Sequence, residues 1–108
     1  MTKNPSLSIG HELGVNAICS WLSANGIENR AIDNSTGPDA VAYVYGNRIA
    51  LEYETGKKSA SSTSKMLGKR IRDYGFVTVV VDATAYGFYK SAIETDGILV
   101  LSESEIRQ

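Results

Sequence analysis

The stretch GPDAVAYVYGNRIALEYETGKK, residues 37–58, contains two runs in which apolar and polar side chains alternate. The runs cover residues 39–45 and 48–54, and they meet at Gly46-Asn47. Alternation with a period of two is typical of a strand that is buried on one face, and a two-residue Gly-Asn connection between such strands is a strong hairpin signal. The sequence therefore predicts a β-hairpin at the centre of the fold.

The pairing of the two strands decides where the acidic side chains point. With Gly46-Asn47 as the loop, Tyr45 pairs with Arg48 and Asp39 lies opposite Glu54. Directly paired residues of an antiparallel ladder project to the same face. We therefore expect Asp39, Glu52 and Glu54 on one face of the hairpin and the apolar side chains on the other.

These three carboxylates are candidates for a metal site. Paired side chains lie about 5 Å apart at Cβ, so three like charges repel one another unless a cation lies between them. Mg²⁺ is typically held by one or two carboxylates together with water and substrate phosphate. The alternative is an acid-rich strand end in solvent. The shared face, the basic segment that follows and the Gly-Pro entry favour the metal site.

Apolar periodicity and cap residues predict the remaining elements. We expect a mixed sheet of about five strands flanked by helices, an α/β fold. The first helix is apolar around most of its circumference, and its narrow polar stripe includes Glu12. The predicted elements are a helix from Ser6 or Ser8 to Gly26, a strand over 27–33, the hairpin, a helix over 60–74, a buried strand over 76–82, a helix from Thr84 to about Thr95, a strand over 97–102, and a short helix with a Ser102–Glu105 capping box.

Basic residues are concentrated just after the hairpin. The net charge of the chain is −1, but six of its eleven Lys and Arg residues lie between residues 55 and 72, with no acid among them. Lys65, Lys69 and Arg72 are spaced i, i+4, i+7, which places them on one outward face of the predicted helix. Such a face suits contact with a sugar-phosphate backbone, although it also fits an ordinary solvated surface.

Length and composition indicate one globular domain covering residues 1–108. The hydrophobic share is 43% and the charged share 21%, as in ordinary folded proteins. Cys19 is the only cysteine, which fits a reducing, cytoplasmic setting. No apolar run approaches the roughly 18 residues of a membrane span. His11 is the only histidine, and we expect it to take no part in chemistry.

Residues 9–82 resemble the core of the PD-(D/E)xK nuclease superfamily, and they are most similar to its small archaeal-type Holliday junction resolvases. The matching pieces are GHELGVNAICSWLSANG, GPDAVAYV, RIALEYE and KMLGKRIRDYGFVTVVVD. The resemblance implies a restriction-endonuclease-like fold, with Asp39 and Glu52 as ligands of Mg²⁺ or Mn²⁺ and Glu12 completing the catalytic site. It also implies DNA, including branched DNA, as the substrate. A homodimer is expected, because so small a chain offers little surface to hold two strands.

One position departs from the family pattern. The family usually has Lys two residues after the acid, where this chain has Glu54. Glu54 can orient or deprotonate a water molecule or hold a second ion. Lys57 or Lys58 can replace the missing amine. Alternatively, these two lysines bind DNA together with Lys65, Lys69 and Arg72. Two functions follow: a metal-dependent DNA endonuclease, or a catalytically inactive DNA-binding or accessory protein that keeps the nuclease fold.

Overall fold

The computed structural model describes residues 5–32 and 37–107, and only the backbone of residues 5–9. The predicted order of elements is confirmed, with ends that differ by a few residues. The predicted strand over 27–33 ends at Asp33, which lies outside the described residues. The elements are α1 Pro5–Ala24, β1 Glu28–Ala31, β2 Ala40–Val44, β3 Asn47–Glu54, α2 Ala60–Tyr74, β4 Val77–Val81, α3 Tyr86–Ile93, β5 Ile98–Ser102 and α4 Glu103–Ile106.

The strands form one mixed sheet in the order β1-β2-β3-β4-β5. The pairs β1–β2 and β2–β3 are antiparallel, whereas β3–β4 and β4–β5 are parallel and are joined through α2 and α3. The predicted α/β class with a mixed five-stranded sheet flanked by helices is confirmed. Among the described residues, none of the helices combines the length and the apolar character that crossing a bilayer requires.

The hairpin loop lies one residue earlier in the chain than predicted. Its loop is Tyr45-Gly46, with φ angles of 51° and 80°, and Tyr43 pairs with Arg48. Positive φ at both loop residues is the geometry of a type I′ turn, which matches the twist of the flanking strands. The predicted register is therefore wrong by two residues. Because side chains alternate with a period of two, the assignment of residues to the two faces survives this shift.

Both faces of the sheet are packed. On one face, Leu51 and Tyr53 pack with Val15, Ile18 and the rest of the α1 and α4 cluster. On the other, Ala50, Val77 and Val79 pack with residues of α2 and α3 such as Leu67 and Tyr89. The acidic face of the hairpin thus belongs to a second core layer.

Helix α1 is buried along one side only. Val15, Ile18 and Leu22 are buried, whereas Leu13 is 57% exposed. The expectation that α1 is covered on most of its circumference is therefore wrong on the Leu13 side. The helix begins at Pro5, so Ser6 and Ser8 lie inside it and neither is its N-cap.

Caps explain where the later helices begin. Ser59 caps α2 by accepting a hydrogen bond from Ser62 N–H, and the helix covers the predicted residues 60–74. Thr84 does not cap α3, because its hydroxyl and N–H both donate to Asp82 Oδ1 in a local turn. The predicted Ser102 capping box of α4 is confirmed.

Candidate active site

The acidic residues meet where β3 and β4 end side by side. Glu52 and Glu54 lie on β3 beside Val79 and Val81 of β4, on the face covered by α2. Asp39 directly precedes β2, and its N–H donates to Leu51 O at 3.1 Å, beside the Ala40–Leu51 pair of the ladder. The chain thus brings Asp39 to the flank of Glu52.

Asp39 is held as an anion. Its Oδ2 accepts a hydrogen bond from Tyr53 N–H at 2.9 Å and lies 3.0 Å from His11 Nε2. Burial alone raises the pKa of this carboxyl, but the bonds from His11 and Tyr53 outweigh burial, so the pKa of Asp39 is lowered. Asp39 is therefore charged at neutral pH.

The pKa of Glu52 is shifted in the opposite direction to that of Asp39. It is 4% exposed, and its Oε2 lies 2.5 Å from Arg70 Nε. Burial first, and then the negative charge of Asp39, raise the pKa of Glu52 to about 8, although Arg70 acts in the other direction. The two neighbouring carboxyls act on each other in opposite directions, because the pKa of Asp39 is lowered while that of Glu52 is raised. Two adjacent carboxyls therefore carry one negative charge between them.

Glu54 lies one pleat further along β3 and is 5% exposed. Burial raises its pKa, while the charge of Lys58 lowers it in part. No hydrogen bond to its carboxyl is found within residues 5–32 and 37–107. A buried carboxyl with a raised pKa has the character of a proton acceptor at neutral pH.

Two residues of this site were not predicted. His11, rather than its neighbour Glu12, is the α1 side chain that reaches Asp39, and Glu12 is exposed. Arg70 lies on α2 and is buried, whereas the predicted DNA-contacting residues of that helix are exposed. Helical spacing carries a signal for both: His11 precedes Val15 by four residues, and Arg70 follows Leu67 by three. Each therefore falls on the buried stripe of its helix.

The donor set fits a divalent cation held by two carboxylates. No group of three or more His, Cys, Asp or Glu residues in the described part of the chain is arranged to hold an ion, so the expectation of three acids around one cation is wrong there. Asp39 and Glu52 remain as a pair in which the charge of Asp39 disfavours ionisation of Glu52. Two carboxylates completed by water and phosphate are a common way to bind Mg²⁺. Their role as ligands stays a prediction.

The predicted DNA-contacting residues all lie on the surface. Lys65, Lys69 and Arg72 occupy the outward side of α2, and Lys57 and Lys58 are exposed in the segment before it. That segment is anchored, because the hydroxyl of Tyr89 donates a hydrogen bond to Lys58 O. Lys58 is also close enough to act on the pKa of Glu54. Lys58 therefore borders the acidic site, and contact of these basic side chains with DNA stays a prediction.

Comparison with known proteins gives a structural likeness. Neither a scan against protein-family models nor a search of curated proteins finds a match. Among solved structures, restriction endonuclease FokI bound to DNA is similar, with a TM-score of 0.54 and 8% identity. The match covers 87% of this chain and 22% of FokI, so the chain spans about a fifth of that protein. The chain has a restriction-endonuclease-like fold, as predicted.

Proposed function

We propose that this chain is a metal-dependent DNA endonuclease in which Asp39 and Glu52 hold Mg²⁺ or Mn²⁺. The observation that carries the proposal is the meeting of these two carboxyls at the end of β3 in a restriction-endonuclease-like fold. FokI, to which the fold is similar, is an endonuclease that was solved bound to DNA. That likeness supports DNA as the substrate.

Hydrolysis of a phosphodiester needs a nucleophilic water, neutralisation of charge on the phosphate and help for the leaving oxygen. A divalent cation, when bound, supplies the Lewis acid and lowers the pKa of water. Asp39 and Glu52 would hold that cation at the end of β3. Glu54, whose burial raises its pKa, takes the proton of the attacking water, which replaces the lysine of the family pattern.

The basic surface after β3 would hold the nucleic acid. Lys65, Lys69 and Arg72 on the outer side of α2 give contacts to the phosphate backbone that are independent of sequence and sensitive to salt. A single nuclease domain over residues 1–108, assembled as a homodimer on branched DNA, is the finer form of the proposal. It rests on the resemblance to resolvases and on the small size of the chain.

A second function, DNA binding without cleavage, is favoured by two observations. Arg70 already bonds Glu52, and the lysine position holds Glu54. A carboxylate that is permanently paired with Arg70 would not be available to a cation. In this reading the chain keeps the fold and the basic surface, and it serves as an accessory protein.

The experiment that separates the two functions uses labelled linear, flapped and four-way DNA with wild-type protein. Each substrate is incubated with Mg²⁺, Mn²⁺ or EDTA, and binding and cleavage are measured on the same samples. The endonuclease is expected to cut at least one substrate with the cations and none with EDTA. Salt-sensitive binding without any cleavage would select the accessory function.

A further inference from the structure

Arg70 is a buried cation at the centre of the candidate site. It is 7% exposed, whereas Lys65, Lys69 and Arg72 on the same helix are exposed. Removing a guanidinium from water is costly unless good partners receive it. Its Nε donates to Glu52 Oε2, and its Nη2 donates to Gly37 O at 2.9 Å. A basic residue is therefore present at the site, but it comes from α2 and not from β3.

We propose that Arg70 is a positioning residue that fixes the separation of the two ligand-bearing segments. This inference rests on the proposed cation site at Asp39 and Glu52. Glu52 belongs to β3, and Gly37 lies two residues before Asp39. One planar group bonded to both segments thus holds the two ligands in register. The guanidinium does so with donors in a rigid fork, which the single ammonium of lysine cannot reproduce.

The geometry favours positioning over competition with a cation. A bidentate arginine pair clamps both oxygens of one carboxylate. Here Nε engages Glu52 while Nη2 engages Gly37, so the guanidinium is divided between two segments. A group of this kind supports a metal ligand from outside in the same way as the second-layer partners of other metal sites.

The two roles predict opposite changes in cation affinity when Arg70 is replaced. Loss of a positioning group weakens cation binding, because the carboxyls lose their alignment. Loss of a competing charge strengthens it, because the site becomes more negative. Affinity for Mn²⁺ can be measured by electron paramagnetic resonance without DNA and without turnover.

The test compares Mn²⁺ binding by wild type, Arg70→Met, Arg70→Lys and Arg70→Ala. Arg30→Met is the matched control, since Arg30 is exposed on β1. We expect Arg70→Met to weaken binding at least ~10-fold, as loss of an outer partner does at other metal sites. We expect Arg70→Lys to recover only part of that loss and Arg30→Met to match wild type. Equal or tighter binding by Arg70→Met would overturn the inference.

Chemical rescue distinguishes loss of the guanidinium from misfolding of the variant. Methylguanidinium added to Arg70→Ala is expected to restore Mn²⁺ affinity, and methylammonium is not. Restoration by neither compound, with the circular dichroism of the variant unchanged, contradicts the positioning role. If wild type binds Mn²⁺ and Arg70→Met loses it while no DNA is cut, the inference stands and the endonuclease proposal fails. If wild type cuts DNA and Arg70→Met binds Mn²⁺ normally, the endonuclease proposal stands and the inference about Arg70 fails.

Discussion

At Glu52, burial and the charge of Asp39 favour the protonated form, while the guanidinium of Arg70 favours the charged one. The balance favours a proton on Glu52 at neutral pH, beside the charged Asp39. The charged form of Glu52 is thus costly in the fold, and it is the form that the proposed cation would require. The pH dependence of the free energy of unfolding should therefore reveal the ionisation of Glu52.

The free energy of unfolding is expected to fall as pH rises from about 5 to about 8 in EDTA. The pKa of Glu52 is about 8 in the folded chain and 4.5 as its ordinary value, so the folded state holds more protons across this window. Glu54, with a raised pKa, acts in the same direction. Glu52→Gln keeps the shape without the titration and should flatten the curve.

Urea unfolding at several pH values checks this prediction. His11, Asp39, Glu54 and Lys58 also act at the site, so the difference between wild type and Glu52→Gln is the quantity to compare. Mg²⁺ should stabilise wild type most at the alkaline end of the window, where Glu52 ionises. Identical pH slopes for the two proteins would contradict the assignment of the proton to Glu52.

At Tyr45, the backbone conformation conflicts with the preference of the residue type. Its φ is 51° and its side chain is 99% exposed, so its strained backbone gains no packing in return. Left-handed backbone costs an ordinary residue roughly 1–2 kcal/mol, and asparagine tolerates it better. We expect Tyr45→Asn to raise the free energy of unfolding by ~0.5–1 kcal/mol, and Gly46→Ala, at a φ of 80°, to lower it. A drop in the urea midpoint of Tyr45→Asn would count against the observed turn.

Among the elements, helix α1 and strand β3 meet through a close contact. A Cβ on Gly14 would lie 2.5 Å from the ring of Tyr53, so only glycine lets the helix approach this far. The Tyr53 hydroxyl donates to Glu103 of α4 at 2.6 Å, and its N–H donates to Asp39. Packing at Gly14 therefore supports the strand that positions an acid of the site.

Gly14→Ala is expected to destabilise the fold by ~1–3 kcal/mol through overpacking against Tyr53. Gly10→Ala is the matched control in the same helix, because nothing lies within 4 Å of its Cβ position. That control should be neutral or stabilising by up to ~1 kcal/mol, as alanine is the better helix former. Thermal unfolding of the pair measures both effects, and equal melting temperatures would refute the close approach.

The outer face of α2 leads to a prediction about salt. If Lys65 and Lys69 contact phosphates, the double variant Lys65→Gln/Lys69→Gln should bind DNA more weakly at every sequence. The slope of log affinity against log salt should become shallower by about 2. Lys90→Gln on α3, where Lys90 pairs with Glu94, is the control. Fluorescence anisotropy at several salt concentrations gives the slopes, and an unchanged slope would remove α2 from the interface.

For the whole molecule, the sequence predicts the order of elements and the faces of the hairpin better than its register. Alternation fixes which side chains share a face, and a two-residue slip preserves that assignment. The turn itself was misplaced because Gly46-Asn47 has the better turn residues, while the chain forces Tyr45 into positive φ to match the strand twist.

The parts of the site that sequence reasoning missed come from the packing of helices on the sheet. Arg70 and His11 reach the acids because α2 and α1 bury the stripes on which these residues lie. A basic run such as residues 65–72 suggests a solvated face, and the spacing of Arg70 from the buried Leu67 is the local sign that separates it from its exposed neighbours. That spacing does not show which partners Arg70 meets, because these depend on the placement of α2 against β3.

Single-turnover cleavage by site variants is the most direct test of the central claim, that Asp39 and Glu52 together hold the cation for DNA hydrolysis. A DNA that wild type cuts with Mg²⁺ is presented to Asp39→Asn and Glu52→Gln, with Glu28→Gln on β1 as an exposed control. The account predicts that both site variants bind this DNA as wild type does but lose cleavage, while Glu28→Gln cuts normally. Cation-dependent cleavage that persists in both Asp39→Asn and Glu52→Gln would contradict it.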